Sequence, residues 1–279
     1  MLAELHCHTV YSKGTKIVFE GLNTPKEMII RAKKIGLDAL AITDHNVVVN
    51  EKGIKGYAKK NGVFLISGEE ISTKSGHLIG LGIEETIKPY LSFEETLDKI
   101  HEQGGIAIAS HPFDVQKKGL GKNIENLRKC DALEVFNALN LERISNWKAR
   151  RFAEKNKLPG VAGSDAHTSL MLGRAITEIK AEQNLDSILN AIKEGRIRIC
   201  CNYVPIKNIV DWSVERLQLS YIDVVEYIDE NYALPKKYAS KKMLKLVKKH
   251  PGKIDYLFRA FAYIGLGVAI PLSAIRNFR

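Results

Sequence analysis

Histidine and acidic side chains recur at one kind of position along this sequence. Six of the eight histidines lie at or just past the carboxyl end of a short apolar run, or open such a run after a tight turn. These six are His6, His8, His45, His77, His111 and His167. Carboxylates share the same positions, at Asp44, Glu69, Glu70 and Asp165. Because α/β proteins build their sites at the carboxyl ends of parallel strands, we expect these side chains to meet at one edge.

The spacing of the pairs indicates metal binding. Residues two apart in a strand point to the same face, so His6 and His8 can bind one ion together. Asp165 and His167 repeat that spacing. A lone histidine beside a strand is usually a hydrogen-bonded core or surface residue, but six at equivalent edges indicate a cluster. Mixed imidazole and carboxylate ligands suit Zn, Mn or Fe.

The elements that must position these residues alternate up to about residue 200. Short apolar runs lie at 39–43, 63–67, 77–82, 106–110, 132–136, 160–164 and 196–201. Amphipathic stretches separate many of them. One of these stretches begins with Thr24 and Pro25, and another with a capping box of Ser92 and Glu95. Alternation of strand and helix predicts an α/β domain with a parallel sheet, either open or closed into a barrel.

The sequence changes character near residue 205, which predicts a main domain over 1–205 and a helical extension over 206–279. Residues 236–279 carry a net charge of +10, and residues 1–235 sum to zero. Residues 260–275 contain no charge, yet these 16 residues are fewer than the roughly 20 needed to span a bilayer. Packing of this segment on the domain is favoured over an interfacial membrane anchor assisted by the preceding lysines.

The cysteines and the amino terminus bear on localisation. Four cysteines in 279 residues do not form the dense disulfide framework of a small secreted domain, which favours a reducing compartment. No basic run followed by an apolar segment opens the sequence, so no signal peptide is predicted. The expected location is cytoplasmic, with peripheral membrane contact through the extension as an alternative.

Five motifs in order resemble those of the PHP (polymerase and histidinol phosphatase) family. They are HCH at 6–8, AITDH at 41–45, GEEIS at 68–72 with GHLIGLG at 76–82, ASHP at 109–112 and GSDAH at 163–167. The resemblance covers about residues 2–200 and implies a distorted (β/α)7 barrel. The third motif is most similar to small phosphoesterases that act on nucleoside 3′,5′-bisphosphates and RNA 5′ ends.

The resemblance also implies a trinuclear metal site of Mn, Fe or Zn. The implied ligands are His6, His8, Glu70 and Asp165 for the first ion, Glu70, His77 and His111 for the second, and His45 and His167 for the third. Glu70 matches the glutamate of the family pattern, which Glu69 does not. Asp44 is expected to orient His45 or to cap the turn.

The sequence departs from the family at Lys13. Members of this branch often read Ser-Asp-Gly where this chain reads Ser-Lys-Gly. A lysine cannot ligate a metal ion, so the third site is weak, empty or completed by another acid such as Glu20. Lys13 either meets a substrate phosphate or points to solvent. Arg174 is a candidate phosphate clamp, because a guanidinium can bind two oxygens, or it pairs with a surface acid.

The predicted activity is metal-dependent hydrolysis of a phosphate ester by metal-activated water. The expected substrate is a nucleotide, a nucleic-acid end or a small phosphorylated metabolite. The alternative is a non-catalytic, metal-stabilised module whose basic tail binds RNA, DNA or an anionic membrane. The lysines of 236–253 have few aromatic residues among them, which argues against base stacking there. No protein partner is predicted.

Overall fold

Nine strands form one sheet that curls into a nearly closed barrel. The computed structural model describes residues 1–13, 19–115, 119–248 and 253–278. The strands are β1 (Leu2–Glu4), β2 (Ala39–Ile42), β3 (Phe64–Ser72), β4 (His77–Leu81), β5 (Ile106–Ala109), β6 (Ala132–Asn137), β7 (Gly160–Gly163), β8 (Ala175–Ile179) and β9 (Ile197–Cys201). Their spatial order is β7-β6-β5-β4-β3-β2-β1-β8-β9. The predicted distorted (β/α)7 barrel is confirmed.

The barrel closes between its first and seventh strands. Cys7 forms an isolated parallel bridge with Ala166, and the His8 N–H donates to the Ala166 carbonyl at 2.8 Å. Strands β8 and β9 continue the sheet outside this closure, where β8 pairs antiparallel with β1. The closure brings the chain after β1 against the chain after β7. It therefore places the HCH and GSDAH motifs side by side.

One barrel strand runs against the others, which the sequence analysis did not predict. Strand β4 pairs antiparallel with both β3 and β5. Only residues 73–76 join β3 to β4, and this is far shorter than the crossover that a parallel pair requires. The reversal puts the first residue of β4, His77, at the edge where the other strands end. Strand β8 was also missed.

Helices cover the barrel and follow local start signals. They are α1 (Pro25–Lys34), α2 (Ile54–Lys60), α3 (Phe93–Glu102), α4 (Ile124–Lys129), α5 (Ile144–Asn156) and α6 (Leu185–Lys193). A short 3-10 helix covers Leu120–Lys122. The predicted N-cap of α1 at Thr24 and the predicted capping box of α3 at Ser92 are both formed, and Thr24 also completes a capping box with Glu27. Each cap satisfies backbone N–H groups that the first helical turn leaves free.

An apolar layer fills the barrel on the side opposite the polar residues. All seven barrel strands contribute to it, with Leu5, Ala41, Ile66, Ile79 and Ile108 among its members. Helix α6 closes this layer with its buried leucine and isoleucine side chains. Because interiors are close-packed, such a layer fixes the strands against one another. The opposite barrel end is left for polar side chains.

The chain after residue 205 is helical, as predicted. It forms α7 (Ile206–Leu219), α8 (Tyr221–Asn231), α9 (Lys236–Lys248) and α10 (Lys253–Phe278). Packing of 260–275 on the domain, the favoured expectation, holds for one helix face only. Only 11% of the Arg259–Asn277 window is buried, and among the described residues this is the one helical stretch long and apolar enough to cross a membrane. The four cysteines are free, and Cys200 is exposed on β9.

Candidate metal centre

Four ligand atoms converge where β1 and β7 end. The Nε2 atoms of His6 and His8 lie 3.1 Å apart. Each lies 3.3 Å from Glu70 Oε2, and their distances to Asp165 Oδ1 are 3.6 Å and 3.2 Å. Ligands of a tetrahedral ion with bonds of about 2.1 Å are separated by about 3.4 Å. The donor set therefore fits a divalent cation in both chemistry and spacing.

The second oxygen of Glu70 faces a different pair of histidines. Glu70 Oε1 lies 2.9 Å from His111 Nε2 and 3.2 Å from His77 Nδ1. His77 Nδ1 is buried and has no hydrogen-bond partner among the described residues, although it lies this close to a carboxylate. Burying such a nitrogen without a partner costs free energy, which a bound cation would offset. Glu70 thus presents one oxygen to His6 and His8 and the other to His77 and His111.

A third group of ligand atoms contains a carboxylate that the sequence offered only as an alternative. Glu20 Oε2 lies 3.5 Å from His45 Nε2, and Glu20 Oε1 lies 3.7 Å from His167 Nε2. His167 Nδ1 donates to the Asp165 carbonyl at 2.8 Å, which leaves Nε2 as the free ligand atom. Lys13 lies near this group through its backbone, since its N–H donates to the His45 carbonyl, but its side chain is exposed.

The charges of the cluster are strongly coupled. Burial opposes ionisation of Glu70, yet the imidazoles of His45, His6 and His77 hold its pKa well below the usual value. Burial likewise opposes protonation of His8, but Asp165 and Glu70 raise its pKa to about 10. The pKa of Glu20 falls to about 2 despite burial, because His167 and His45 are close. Without an ion, the raised pKa values of His6 and His8 favour the protonated imidazoles, and a bound cation would take the place of those protons.

Glu134 supports the cluster through hydrogen bonds with His6 and His111. The sequence analysis did not predict this role. Glu134 Oε1 lies 2.8 Å from His6 Nδ1, and its Oε2 accepts the His111 N–H at 2.7 Å. Asn137 also donates to it, at 2.9 Å. Such carboxylate partners fix the tautomer and orientation of a metal-binding histidine. The sequence signal that could have indicated this role was a glutamate inside the otherwise apolar run of β6.

Asp44 forms hydrogen bonds with the turn that follows β1, and its expected role in orienting His45 or capping the turn stays a prediction. It accepts hydrogen bonds from the Thr9 hydroxyl at 2.5 Å and from the Ser12 hydroxyl at 2.7 Å. Ser12 in turn lies 3.3 Å from His8 Nδ1, which directs the Nε2 atom of His8 toward Glu70. Asp44 therefore stabilises the loop that follows β1.

Two of the ligand positions have backbone conformations that side chains seldom adopt. The φ angle is +29° at His111 and +50° at Asp165. Outside glycine, such angles cost free energy and persist only where the surroundings enforce them. The Glu134 bond to the His111 N–H and the bridge of Ala166 to Cys7 provide that enforcement. Strain of this kind is typical of functional sites.

Arg174 lies at the edge of the barrel where β1 ends. It directly precedes β8, whose first residues are level with the end of β1, and its side chain is half-buried. The neighbouring Gly173 N–H donates to Glu4 at 3.1 Å, and the Arg174 carbonyl accepts from Asn202. These contacts fix the backbone at Arg174 and at the residue before it.

We expect Glu134→Gln to weaken metal binding by about 10- to 100-fold, because the amide cannot accept from both His6 and His111. Competition with a chromophoric chelator would measure the affinity. Glu154→Gln on the exposed side of α5 is the matched control and should bind like the wild type. Equal affinities for the two variants would show that Glu134 does not orient a ligand.

Comparison with known proteins supports this description. A family model described as PHP-associated matches residues 143–197. An uncharacterized protein of Methanocaldococcus jannaschii is 43% identical over 150 residues, covering 52% of this chain and 87% of that protein. A 5′-3′ exoribonuclease of Haemophilus influenzae is 28% identical over 48% of this chain and 47% of its own length. A solved two-domain protein of Bacteroides vulgatus, containing a predicted PHP-like metal-dependent phosphoesterase, superposes with a TM-score of 0.58 at 19% identity, covering 77% of this chain and 69% of that one.

The nearly closed barrel has the fold of the PHP-like protein of Bacteroides vulgatus, and its clustered histidine and carboxylate side chains could hold metal ions. The chain belongs to the PHP (polymerase and histidinol phosphatase) family. The sequence-based assignment to this family is confirmed.

Proposed function

We propose that the chain hydrolyses a phosphate ester with two or three divalent ions of Mn, Fe or Zn. The observation that carries the proposal is the convergence of His6, His8, Glu70 and Asp165 at mutual distances of a metal ligand set. Proposed ligands of the second ion are Glu70, His77 and His111, and of the third His45, His167 and Glu20. Bound ions of this kind activate water and neutralise phosphate oxygens.

The chain's own side chains would hold the substrate. Arg174 is proposed to grip two phosphate oxygens, and Lys13, exposed beside His45, to meet the phosphate from the solvent side. Charged hydrogen bonds of this type contribute about 1.5–3 kcal/mol. We assign no general acid, because a histidine that ligates a metal cannot easily also donate a proton.

Arg174→Ala is expected to raise KM by about 10- to 100-fold with a smaller change in kcat, since a lost phosphate contact weakens substrate binding. Steady-state phosphate release would measure both constants. The control is Arg198→Ala, which removes an exposed arginine of β9. Unchanged KM in Arg174→Ala would place the phosphate elsewhere.

The proposed substrate class is nucleotides or nucleic-acid ends, with small phosphorylated metabolites as the wider class. Two facts support it: the GEEIS and GHLIGLG motifs, and the similarity of about half the chain to an exoribonuclease. The proposed location is cytoplasmic, in keeping with four free cysteines.

Phosphate release with added Mn²⁺ tests this proposal. The panel contains p-nitrophenyl phosphate, 3′-phosphoadenosine 5′-phosphate, a short 5′-phosphorylated RNA and histidinol phosphate. We expect release from at least one nucleotide or RNA substrate and its loss in Asp165→Ala. No release from any substrate, by protein that holds at least two metal ions, would favour a non-catalytic binding module instead.

We also propose that the extension contacts an anionic membrane surface. The exposed side of α10 carries a continuous apolar stripe of Phe261, Ile264, Val268, Leu272 and Ile275, each more than half exposed. The opposite side is held to α7 at one end, through Arg259 and Asp211, and to the domain at the other end, through Asn277 and Glu142. A helix held to the protein at both ends would lie flat in the plane of the membrane–water interface.

Charge favours a bilayer over a second copy as the occupant of this stripe. Residues 236–279 carry +10, which attracts anionic headgroups and repels an identical extension. Flotation with phosphatidylglycerol vesicles should recover the wild type but not I264E/L272E. Leu170→Glu, at an exposed leucine outside α10, is the control. Concentration-dependent dimerisation without flotation, or salt-sensitive RNA binding alone, would overturn this proposal.

A further inference from the structure

The first helix of the extension reaches the metal centre through one aromatic side chain. The ring of Trp212, on α7, lies 4.6 Å from the ring of His167, at an interplanar angle of 48°. His167 in turn lies 4.6 Å from His8, also measured between ring centroids. The guanidinium of Arg216 covers the indole at 5.6 Å. A row of packed rings therefore connects the first group of ligands to the extension.

Trp212 also contacts the segment that carries Glu20. Its indole N–H donates to the Glu20 carbonyl at 2.8 Å, across 192 residues of chain. The same segment is fixed on its other side, because the Leu22 N–H donates to the His167 carbonyl at 2.9 Å. A Cβ on Gly21 would lie 2.4 Å from the Thr9 carbonyl oxygen, so this turn is pressed against the loop after β1.

The Glu20 side chain has a buried carboxylate oxygen that a cation would stabilise. Its Oε2 atom is buried and has no hydrogen-bond partner among the described residues, although it lies 3.5 Å from His45 Nε2. A buried carboxylate oxygen without a partner is costly unless a positive charge accompanies it. The two Glu20 oxygens thus lie 3.5 Å and 3.7 Å from imidazole nitrogens of His45 and His167, on the segment whose backbone Trp212 holds.

We infer that Trp212 is a positioning residue for the third metal ion, so that this site depends on the extension after residue 205. The inference rests on the proposed metal centre. Trp212 holds the Glu20 backbone with its N–H and the His167 ring with its face. Both groups would otherwise lie on loops, where loss of the contact would let the carboxylate turn to solvent. The proposed ligands of the first two ions include neither Glu20 nor His167.

The separation of these two contacts allows a sharp test. Trp212→Phe keeps an aromatic ring against His167 but removes the N–H that holds Glu20. Glu20→Gln keeps the segment in place but removes the charge of the carboxylate. Both changes should lower the affinity for the third equivalent of Mn²⁺ by about 10- to 100-fold and leave the first two equivalents unchanged. Trp147→Phe, at the exposed tryptophan of α5, should leave all three unchanged.

Fluorescence adds a readout that does not depend on activity. The chain has two tryptophans, so Trp147→Phe leaves Trp212 as the sole emitter. Paramagnetic Mn²⁺ added to the metal-free protein should quench this emission mainly with the third equivalent, because that ion would lie closest to the indole. In Trp212→Phe, the remaining Trp147 should respond little.

The outcomes separate the inference from the function on which it rests. Wild-type protein that binds no Mn²⁺ would contradict the proposed metal centre itself. Wild-type protein that binds two ions only, or Trp212→Phe that binds the third ion as tightly as the wild type, would overturn the role of Trp212 and leave the two-metal site standing. Circular dichroism of each variant would confirm that the barrel remains folded.

Discussion

Replacing Glu70 with Gln is expected to abolish phosphate release, with a fall in kcat/KM of at least about 1000-fold. The two oxygens of Glu70 face different ligand pairs: Oε2 lies by His6 and His8, and Oε1 by His77 and His111. An amide lacks the charge that holds two cations close together. Loss of about 4 kcal/mol of transition-state stabilisation corresponds to that factor.

Glu69→Gln is the matched control for this experiment. Glu69 adjoins Glu70 and is equally buried, but its Oε2 accepts the Ile87 N–H at 2.9 Å on the opposite face of β3. Burial raises the pKa of Glu69 to about 7, so a neutral amide resembles its protonated form. We expect Glu69→Gln to keep its metals and its activity. Equal losses in both variants would indicate general damage to β3.

Removal of the metals is expected to destabilise the folded chain as well as to inactivate it. The cluster gathers imidazoles and carboxylates in a buried space, where unpaired charges are costly. An ion present at 100 times its dissociation constant adds about 2.7 kcal/mol of stability through binding to the folded state alone. Treatment with EDTA should therefore lower Tm by several degrees, and Mn²⁺ should restore it.

The Asp165→Ala protein serves as the control for that measurement. It lacks a proposed ligand of the first ion, so its Tm should respond less to EDTA and to Mn²⁺ than that of the wild type. Calorimetry or thermal circular dichroism would measure both responses. A wild-type Tm that is the same with EDTA and with Mn²⁺ would contradict the presence of tightly held ions.

The sequence predicted those features whose cause is local or repeats along the chain. Thr24 and Ser92 predicted helix starts, because a cap depends on residues three positions apart. His6, His45 and His111 could be placed at one barrel edge, since parallel strands end on the same side. His77 lies there for a different reason, the reversal of β4.

Other features depend on contacts between distant segments. Nothing near Glu20 in the sequence connects it with His45 or with Trp212, which lie 25 and 192 residues away. The metal-supporting role of Glu134 depends on closure of the barrel, which brings β6 behind His6. The sequence showed that Lys13 departs from the family motif. What this means for the third group of ligand atoms could be judged only from the position of Glu20 in the fold.

Anomalous scattering from crystals grown with Mn²⁺ would test the central claim, a multinuclear metal centre bridged by Glu70, most directly. We expect one peak beside His6, His8 and Asp165 and a second beside His77 and His111, both within bonding distance of Glu70. A third peak near Glu20 would accompany them. Density for well-ordered side chains at this edge with no anomalous peak among them would contradict the account.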